Sequence, residues 1–172
     1  MNVVAMSETD ETAFRAYAIS RRPALRRTAY LMCGDWHQAD DLVQTALTKL
    51  YVAWKRVRND DQPDAYTRRI LTRCFLDERR RPWRREAPTE VLEAAAPAAL
   101  STEDALDLRD ALTRLPARQR ATVVLRFWAD ASVAETADAL GCTEGTVKSQ
   151  TARAISTLRS LLADPVLVEE MS

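Results

Sequence analysis

Five apolar side chains, Val43, Leu47, Leu50, Trp54 and Val57, recur at steps of four, three, four and three. Only a helix places such positions on one face, because its period is 3.6 residues whereas a strand alternates every two. The spacing returns near the end of the chain, at Val147, Thr151, Ala154, Leu158 and Leu161. Only three glycines are spread over 172 residues, far fewer than the special turns of an all-β fold need. The expected fold is all-α: two small helical domains joined by a linker, residues 10–86, 87–101 and 102–163. A hydrophobic content of 47% is enough to give them a core.

Local signals mark the elements. A first helix is expected from Ser7 or Thr9, with Phe14, Tyr17 and Ala18 inward. Pro23 lacks an amide hydrogen and clashes with the preceding turn, so that helix is expected to end or kink there. Pro23 then opens a second helix to Cys33, and Gly34 suits its end. Asp35 followed by Gln38 has the form of a capping box. The stripe helix follows, with Asp40 and Asp41 near its N-terminus, where negative charge is favourable. RNDDQP, residues 58–63, reads as a turn. The next helix runs from about Asp64, with Tyr66, Ile70, Leu71 and Cys74 inward, and leads into an arginine cluster around Trp83. EAPTEVLEAAAPAALST, residues 86–102, has two prolines and no basic residue, and reads as a linker. Ser101 is the expected cap of the next helix, which carries Ala105, Leu108, Leu112 and Leu115. Pro116 starts another, holding Val124, Leu125, Phe127 and Trp128.

The stretch SVAETADALGCTEGTVKSQTARAISTLRSLL, residues 132–162, carries the most chemistry. Ser132 and Glu135 fit a capping box, Val133, Thr136, Ala137 and Leu140 form a short apolar face, and Gly141 closes that helix. Thr143 caps the next. A short helix, a glycine turn and a second helix make the format of a helix-turn-helix. The outward positions of the second helix include Glu144, Gly145, Lys148, Ser149, Ala152, Arg153 and Ser156. Lys148 and Arg153 have the reach for phosphates or guanine edges, and Ser149 and Gln150 for base edges. Glu144 has the chemistry to accept from cytosine, or to stabilise the helix start. The alternative is an ordinary helical hairpin with a solvated face.

The formal net charge of zero hides an asymmetry. Residues 1–86 carry 17 Lys+Arg against 12 Asp+Glu, and residues 87–172 carry 8 against 13. Phosphate binding needs a local patch, not a basic chain. Arginines beside Trp83 suit a single strand, since aromatic rings stack bases and guanidinium groups hold phosphates. A solvated charged face is the plain alternative. The charge split also predicts that the acidic second domain covers the basic first one, hiding its DNA surface.

Other classes are poorly supported. Cys33, Cys74 and Cys142 lie far apart and His37 is the only histidine, so neither a metal site nor a disulfide framework is expected. His37, Asp40 and Asp41 are a weak metal set, and no phosphate-binding glycine loop or nucleophile–base pattern occurs. No enzyme activity and no cofactor are expected. No apolar run reaches membrane-spanning length, and MNVVAMSETDETAF lacks the form of a signal peptide, so the expected location is the cytoplasm.

Three segments, PALRRTAYLMCGDWHQADDLVQTALTKLYVAWKRV, PDAYTRRILTRCFLDERRRPWRRE and LTRLPARQRATVVLRFWADASVAETADALGCTEGTVKSQTARAISTLR, together closely resemble the extracytoplasmic-function sigma factors of bacteria, actinobacterial members above all. The resemblance spans nearly the whole chain apart from the linker and the two ends. It implies a stress-response initiation factor. The first domain would hold core RNA polymerase and melt the −10 promoter element, and the second would read the −35 element. It implies a docking surface for the β′ clamp helices at Asp40, Asp41, Gln44, Thr45 and Lys49, with the β flap as a further polymerase contact. It implies capture of a flipped base by Arg58, Asn59 and Asp61, and strand holding by Arg68, Arg69, Arg73, Arg79, Arg80 and Trp83. For the −35 element it implies Glu144, Thr146, Lys148, Ser149, Gln150 and Arg153. Two features depart from the pattern. Gln150 stands where many relatives have arginine, and the linker is short and acidic, so that it could mimic RNA in the polymerase exit path. The implied partners are core polymerase, promoter DNA and an anti-sigma factor. A stand-alone regulator would need neither the DDLVQ helix nor the arginine-rich helix.

Overall fold

The computed structural model describes residues 6–60, 62–80 and 103–163. Among these it is all helical: α1 Glu8–Cys33, α2 Trp36–Asn59, α3 Pro63–Arg80, α4 Glu103–Arg114, α5 Ala117–Phe127, α6 Val133–Leu140 and α7 Glu144–Ala163. The expected linker, with Ser101 and Trp83, lies outside the described residues.

α1 is one helix, not the two expected. Ser7 caps it by accepting from the Asp10 amide at 3.2 Å, and Glu8, Asp10 and Glu11 complement its positive end. Pro23 sits inside it. The bond lost there is on a wet side, with Pro23 exposed and Ile19 69% exposed, so water can serve the freed carbonyl. Packing fixes the axis on both sides of the proline. Phe14 and Tyr17 pack against Trp54, with ring centroids 5.3 and 5.4 Å away. Leu25, Ala29 and Met32 enter the larger core. The Tyr17 hydroxyl also donates to Asp64 at 2.8 Å, and burial raises its pKa.

Gly34 ends α1 with φ +79°, its amide donating to the Tyr30 carbonyl at 2.7 Å. α2 starts at Trp36, where the Asp35–Gln38 signal places it. Asp35 caps it, accepting from the Gln38 amide at 2.7 Å. The capping box is only half made, because the Gln38 side chain donates instead to Glu78 of α3, also at 2.7 Å. Asp40 and Asp41 therefore lie beyond the first turn, which has no acidic residue. The predicted stripe is internal: Val43, Leu50, Trp54 and Val57 are buried, and Leu47 packs beside them.

α3 buries more than its predicted face. Leu71 and Cys74 are inward as expected, but Thr67, Thr72, Phe75 and Leu76 are buried as well, while Tyr66 and Ile70 are only half-buried. The helix is packed on two sides, by α2 and by α5 and α6. The buried threonines are satisfied within the helix, donating to the Pro63 and Arg68 carbonyls at 2.6 and 2.8 Å.

In the second unit, Pro116 is the N-cap of α5, and Val124 and Leu125 are buried. Phe127 and Trp128 are 54% and 41% exposed. The capping box of α6 is complete, with both the Ser132 side chain and the Glu135 side chain bonded as expected. Gly141 closes α6 with φ +63°. Thr143 accepts from the Thr146 amide at 3.2 Å to start α7.

The two units share a core. Leu25, Met32, Leu71 and Phe75 of the first belong to one buried cluster with Leu112, Leu115, Val124 and Leu125 of the second. Arg120 crosses between them. It is 4% exposed and donates to the Met32 carbonyl at the end of α1 at 2.7 Å. It also donates to the Thr113 and Leu115 carbonyls at the end of α4, at 2.7 and 3.0 Å. α1 has no basic residue in its last turn, so Arg120 supplies from another unit the cation that its negative end favours. Burial, helped by the charge of Arg79, lowers its pKa from 12.5 to about 10, so it stays charged at neutral pH.

Candidate nucleic-acid interface

α7 is the exposed reading helix. Val147, Ala154 and Leu158 anchor one side in the core, which turns Glu144, Gly145, Lys148, Ser149, Ala152, Arg153 and Ser156 to solvent. The small residues among them let a helix approach a groove closely, and the cations Lys148 and Arg153 face outward with them. The Ser149 hydroxyl donates to the Thr146 carbonyl at 3.0 Å, and the Thr146 and Thr143 hydroxyls are 2.9 Å apart. Gln150 is half-buried at the edge of this face, its Oε1 atom buried without a partner.

The arginines of α3 divide into two groups. Arg73, Arg79 and Arg80 are exposed, and Arg79 lies over the Phe75 ring at 5.7 Å. Arg68 and Arg69 are half-buried and paired with the other unit: Arg68 with Glu135 at 2.5 Å, Arg69 with Asp138 at 3.3 Å. Arg69 also lies over the Tyr66 ring at 5.0 Å. Glu135 holds its pKa below the usual carboxylate range, chiefly through the Ser132 amide bond and further through the Ser132 hydroxyl and Arg68. The sequence reading missed Glu135 and Asp138 as arginine partners. Glu135 was legible as a capping residue, but a contact 67 positions away leaves no local signal.

Arg58 and Asn59 belong to the last turn of α2, and Asp61 lies outside the described residues. Arg58 is tied to Asp10 at the start of α1, at 2.6 Å. A cavity of about 290 Å³ opens beside this turn, lined by Arg56, Asp60, Gln62, Tyr66, Arg69 and Asp138 among others. On α2, Asp41, Gln44, Thr45 and Lys49 are exposed. Asp40 is half-buried in a two-bond pair with Arg26, at 2.7 and 3.1 Å. Lys49 Nζ lies 3.7 Å from Cys74 Sγ. No cluster of three metal-ligating side chains occurs among the described residues, and His37, Asp40 and Asp41 form none. No described helix is long and apolar enough to cross a membrane.

A capped helix-turn-helix on one unit and an arginine-bearing helix on the other define a two-part nucleic-acid reader. The comparisons with known proteins specify it. Residues 18–85 match the model for sigma-70 region 2, and residues 105–158 match that for sigma-70 region 4. The chain is 40% identical over 156 residues to an RNA polymerase sigma-E factor of Streptomyces coelicolor, covering 87% of this chain and 85% of that one. It is 36% identical over 156 residues to the ECF RNA polymerase sigma factor SigM of Mycobacterium tuberculosis, covering 89% and 79%. Among solved structures, the sigma factor RpoE in complex with the anti-sigma factor NepR from Bartonella quintana superposes with a TM-score of 0.75 at 29% identity, over 87% of this chain and 96% of that one. CnrH in complex with the cytosolic domain of CnrY shares the fold, with a TM-score of 0.62 over 88% of both chains. The chain belongs to the extracytoplasmic-function sigma factors of the sigma-70 family. It is an RNA polymerase sigma factor carrying the −10 and −35 recognition regions.

Proposed function

We propose that residues 10–86 dock on core polymerase and open the −10 element, and that residues 102–163 read the −35 element, with 87–101 as the linker. The outward face of α7 is the observation that carries this reading. Lys148 and Arg153 serve phosphates or guanine edges there, with Glu144, Thr146, Ser149 and Gln150 around them. Asp41, Gln44, Thr45 and Lys49 form the exposed docking face of α2 toward the β′ clamp helices, with Asp40 held at its edge by Arg26. The β flap contacts the second unit. Arg58, Asn59 and Asp61 capture an extruded base, a step that costs a few kcal/mol and so selects easily unstacked sequence. Arg68, Arg69, Arg73, Arg79, Arg80 and Trp83 hold the opened strand.

The protein works in the cytoplasm, performs no covalent chemistry itself, and is controlled by an anti-sigma partner. That last assignment is supported by the structural likeness to the sigma factor RpoE solved in complex with the anti-sigma factor NepR. The test is a mixing experiment with bacterial core RNA polymerase. Co-elution with core, and transcription starting at discrete sites on pooled genomic fragments, are expected. Duplex DNA binding without core binding would refute the docking surface and point to a stand-alone regulator.

A further inference from the structure

Asp10, Phe14, Tyr17 and Arg21, on the first half of α1, recur at steps of four, three and four, so they share one face of the helix. That face meets the end of the α2–α3 hairpin. Phe14 and Tyr17 pack on the small core of Leu50, Trp54 and Val57. The polar members reach the two flanks of the turn that joins α2 to α3. Asp10 accepts from Arg58, in the last turn of α2, at 2.6 Å. Tyr17 donates to Asp64, in the first turn of α3, at 2.8 Å, and Arg21 donates to the other oxygen of that carboxylate at 2.7 Å. Of the three ion pairs that α1 makes with other helices among the described residues, two therefore end on this one turn.

The ties are themselves fixed. The second oxygen of Asp10 accepts from the Ser7 hydroxyl at 2.7 Å, and the Asp10 side chain is only 17% exposed. The Tyr17 oxygen also lies 3.1 Å from the hydroxyl of Thr67, which is fully buried. Beyond Pro23 the same helix enters the larger core through Leu25, Ala29 and Met32. The turn is thus held at both ends to one rod anchored in the body of the protein. The apolar cluster alone would keep α1 on α2, but it would not fix how far apart Arg58 and Asp64 stand. A loop held in its bound shape before its ligand arrives loses less conformational freedom on binding. That matters most where the ligand is a base whose extrusion already costs free energy.

We propose that the first half of α1 is a positioning element for promoter opening: Asp10, Tyr17 and Arg21 hold the α2–α3 turn in the shape that receives the extruded base. Arg58 serves the capture through its tie to Asp10, and the exposed Asn59, next in the chain, is left to meet the base. The inference rests on the reading that this turn captures a base of the −10 element.

The test uses holoenzyme reconstituted from the full chain and core polymerase. Its probe is a fluorescein-labelled fork template, built on a promoter recovered in the mixing experiment, whose non-template −10 strand is unpaired. An abasic nucleotide is placed at each −10 position in turn, and the position at which wild type loses most affinity marks the captured base. The variants are Asp10→Asn and Tyr17→Phe; phenylalanine keeps the ring against Trp54 and removes only the hydroxyl. The control is Glu11→Gln, which changes charge as Asp10→Asn does but whose partner Arg15 lies on α1 itself. On the intact template each variant should bind about three- to tenfold more weakly than wild type, the scale of one hydrogen bond. On the template abasic at the captured position the variants should match wild type within about 1.5-fold. The ratio between the two templates is taken within each preparation, so a variant that assembles less completely is not mistaken for one that captures less. Equal losses on both templates, no loss at all, or a template-specific loss of the same size in Glu11→Gln would overturn the inference and leave base capture standing. A wild type with no sensitive position refutes base capture, and the inference with it.

Discussion

Replacing Arg120 with methionine probes how the two units are joined. The guanidinium makes three bonds to backbone carbonyls at 2.7, 2.7 and 3.0 Å. A hydrogen bond from a charged donor contributes about 1.5–3 kcal/mol, so the three together stabilise the fold by roughly 4.5–9 kcal/mol. Against this stands the burial of the cation, whose pKa falls from 12.5 to about 10. At about 1.4 kcal/mol per pKa unit, that opposes folding by roughly 3 kcal/mol. Methionine removes both effects and fills most of the volume, leaving a net loss of about 1.5–6 kcal/mol. In urea, with a slope of about 2 kcal/mol per M, the midpoint should fall by roughly 0.75–3 M. Because one of the three carbonyls belongs to α1, the first unit should be destabilised along with the second. A midpoint within about 0.2 M of wild type would refute the idea that this cation joins the units.

Three other outcomes follow from the same structure. Changing Gln150 to arginine should add one phosphate contact on −35 duplex, steepening the plot of log K against log salt by about one; an unchanged slope in a filter-binding series would place Gln150 off the DNA. Burial pushes the Cys33 thiol up to about 12 and raises that of Cys74, so at pH 8 a disulfide reagent should modify half-buried Cys142 quickly and the other two only on unfolding; rapid reaction of all three would contradict the packing. Glu135 has a folded pKa below its unfolded value, so its contribution is present above the usual glutamate range and is lost as pH falls through the lowered value. The stability gap between wild type and Glu135→Gln should therefore shrink in urea titrations below about pH 4, and a gap unchanged at pH 3 would rule this out.

Most of the local structure was determined by the sequence itself. Helical stripes at Val43–Val57 and Val147–Leu161, the Ser132–Glu135 box, and glycines at positions 34 and 141 act within a turn or two, and each formed as expected. The outward face of α7 was legible for the same reason: its inward stripe is regular, so the rest must face solvent. What tertiary structure alone decided lies at longer range. α1 runs through Pro23 because packing on both sides of the proline outweighs one lost hydrogen bond. α3 buries Thr67, Thr72, Phe75 and Leu76 because a second unit covers it, and no periodicity announces a partner on the far face. The charge split did not foretell the contact: residues 103–163 carry eight Lys+Arg against eight Asp+Glu, so the described second unit is neutral, and individual pairs decide which groups meet. Arg68 with Glu135, Arg69 with Asp138, and Arg120 with the end of α1 join residues dozens of positions apart. Such contacts depend on how whole helices dock, and a linear pattern encodes the faces of helices but not which faces come together.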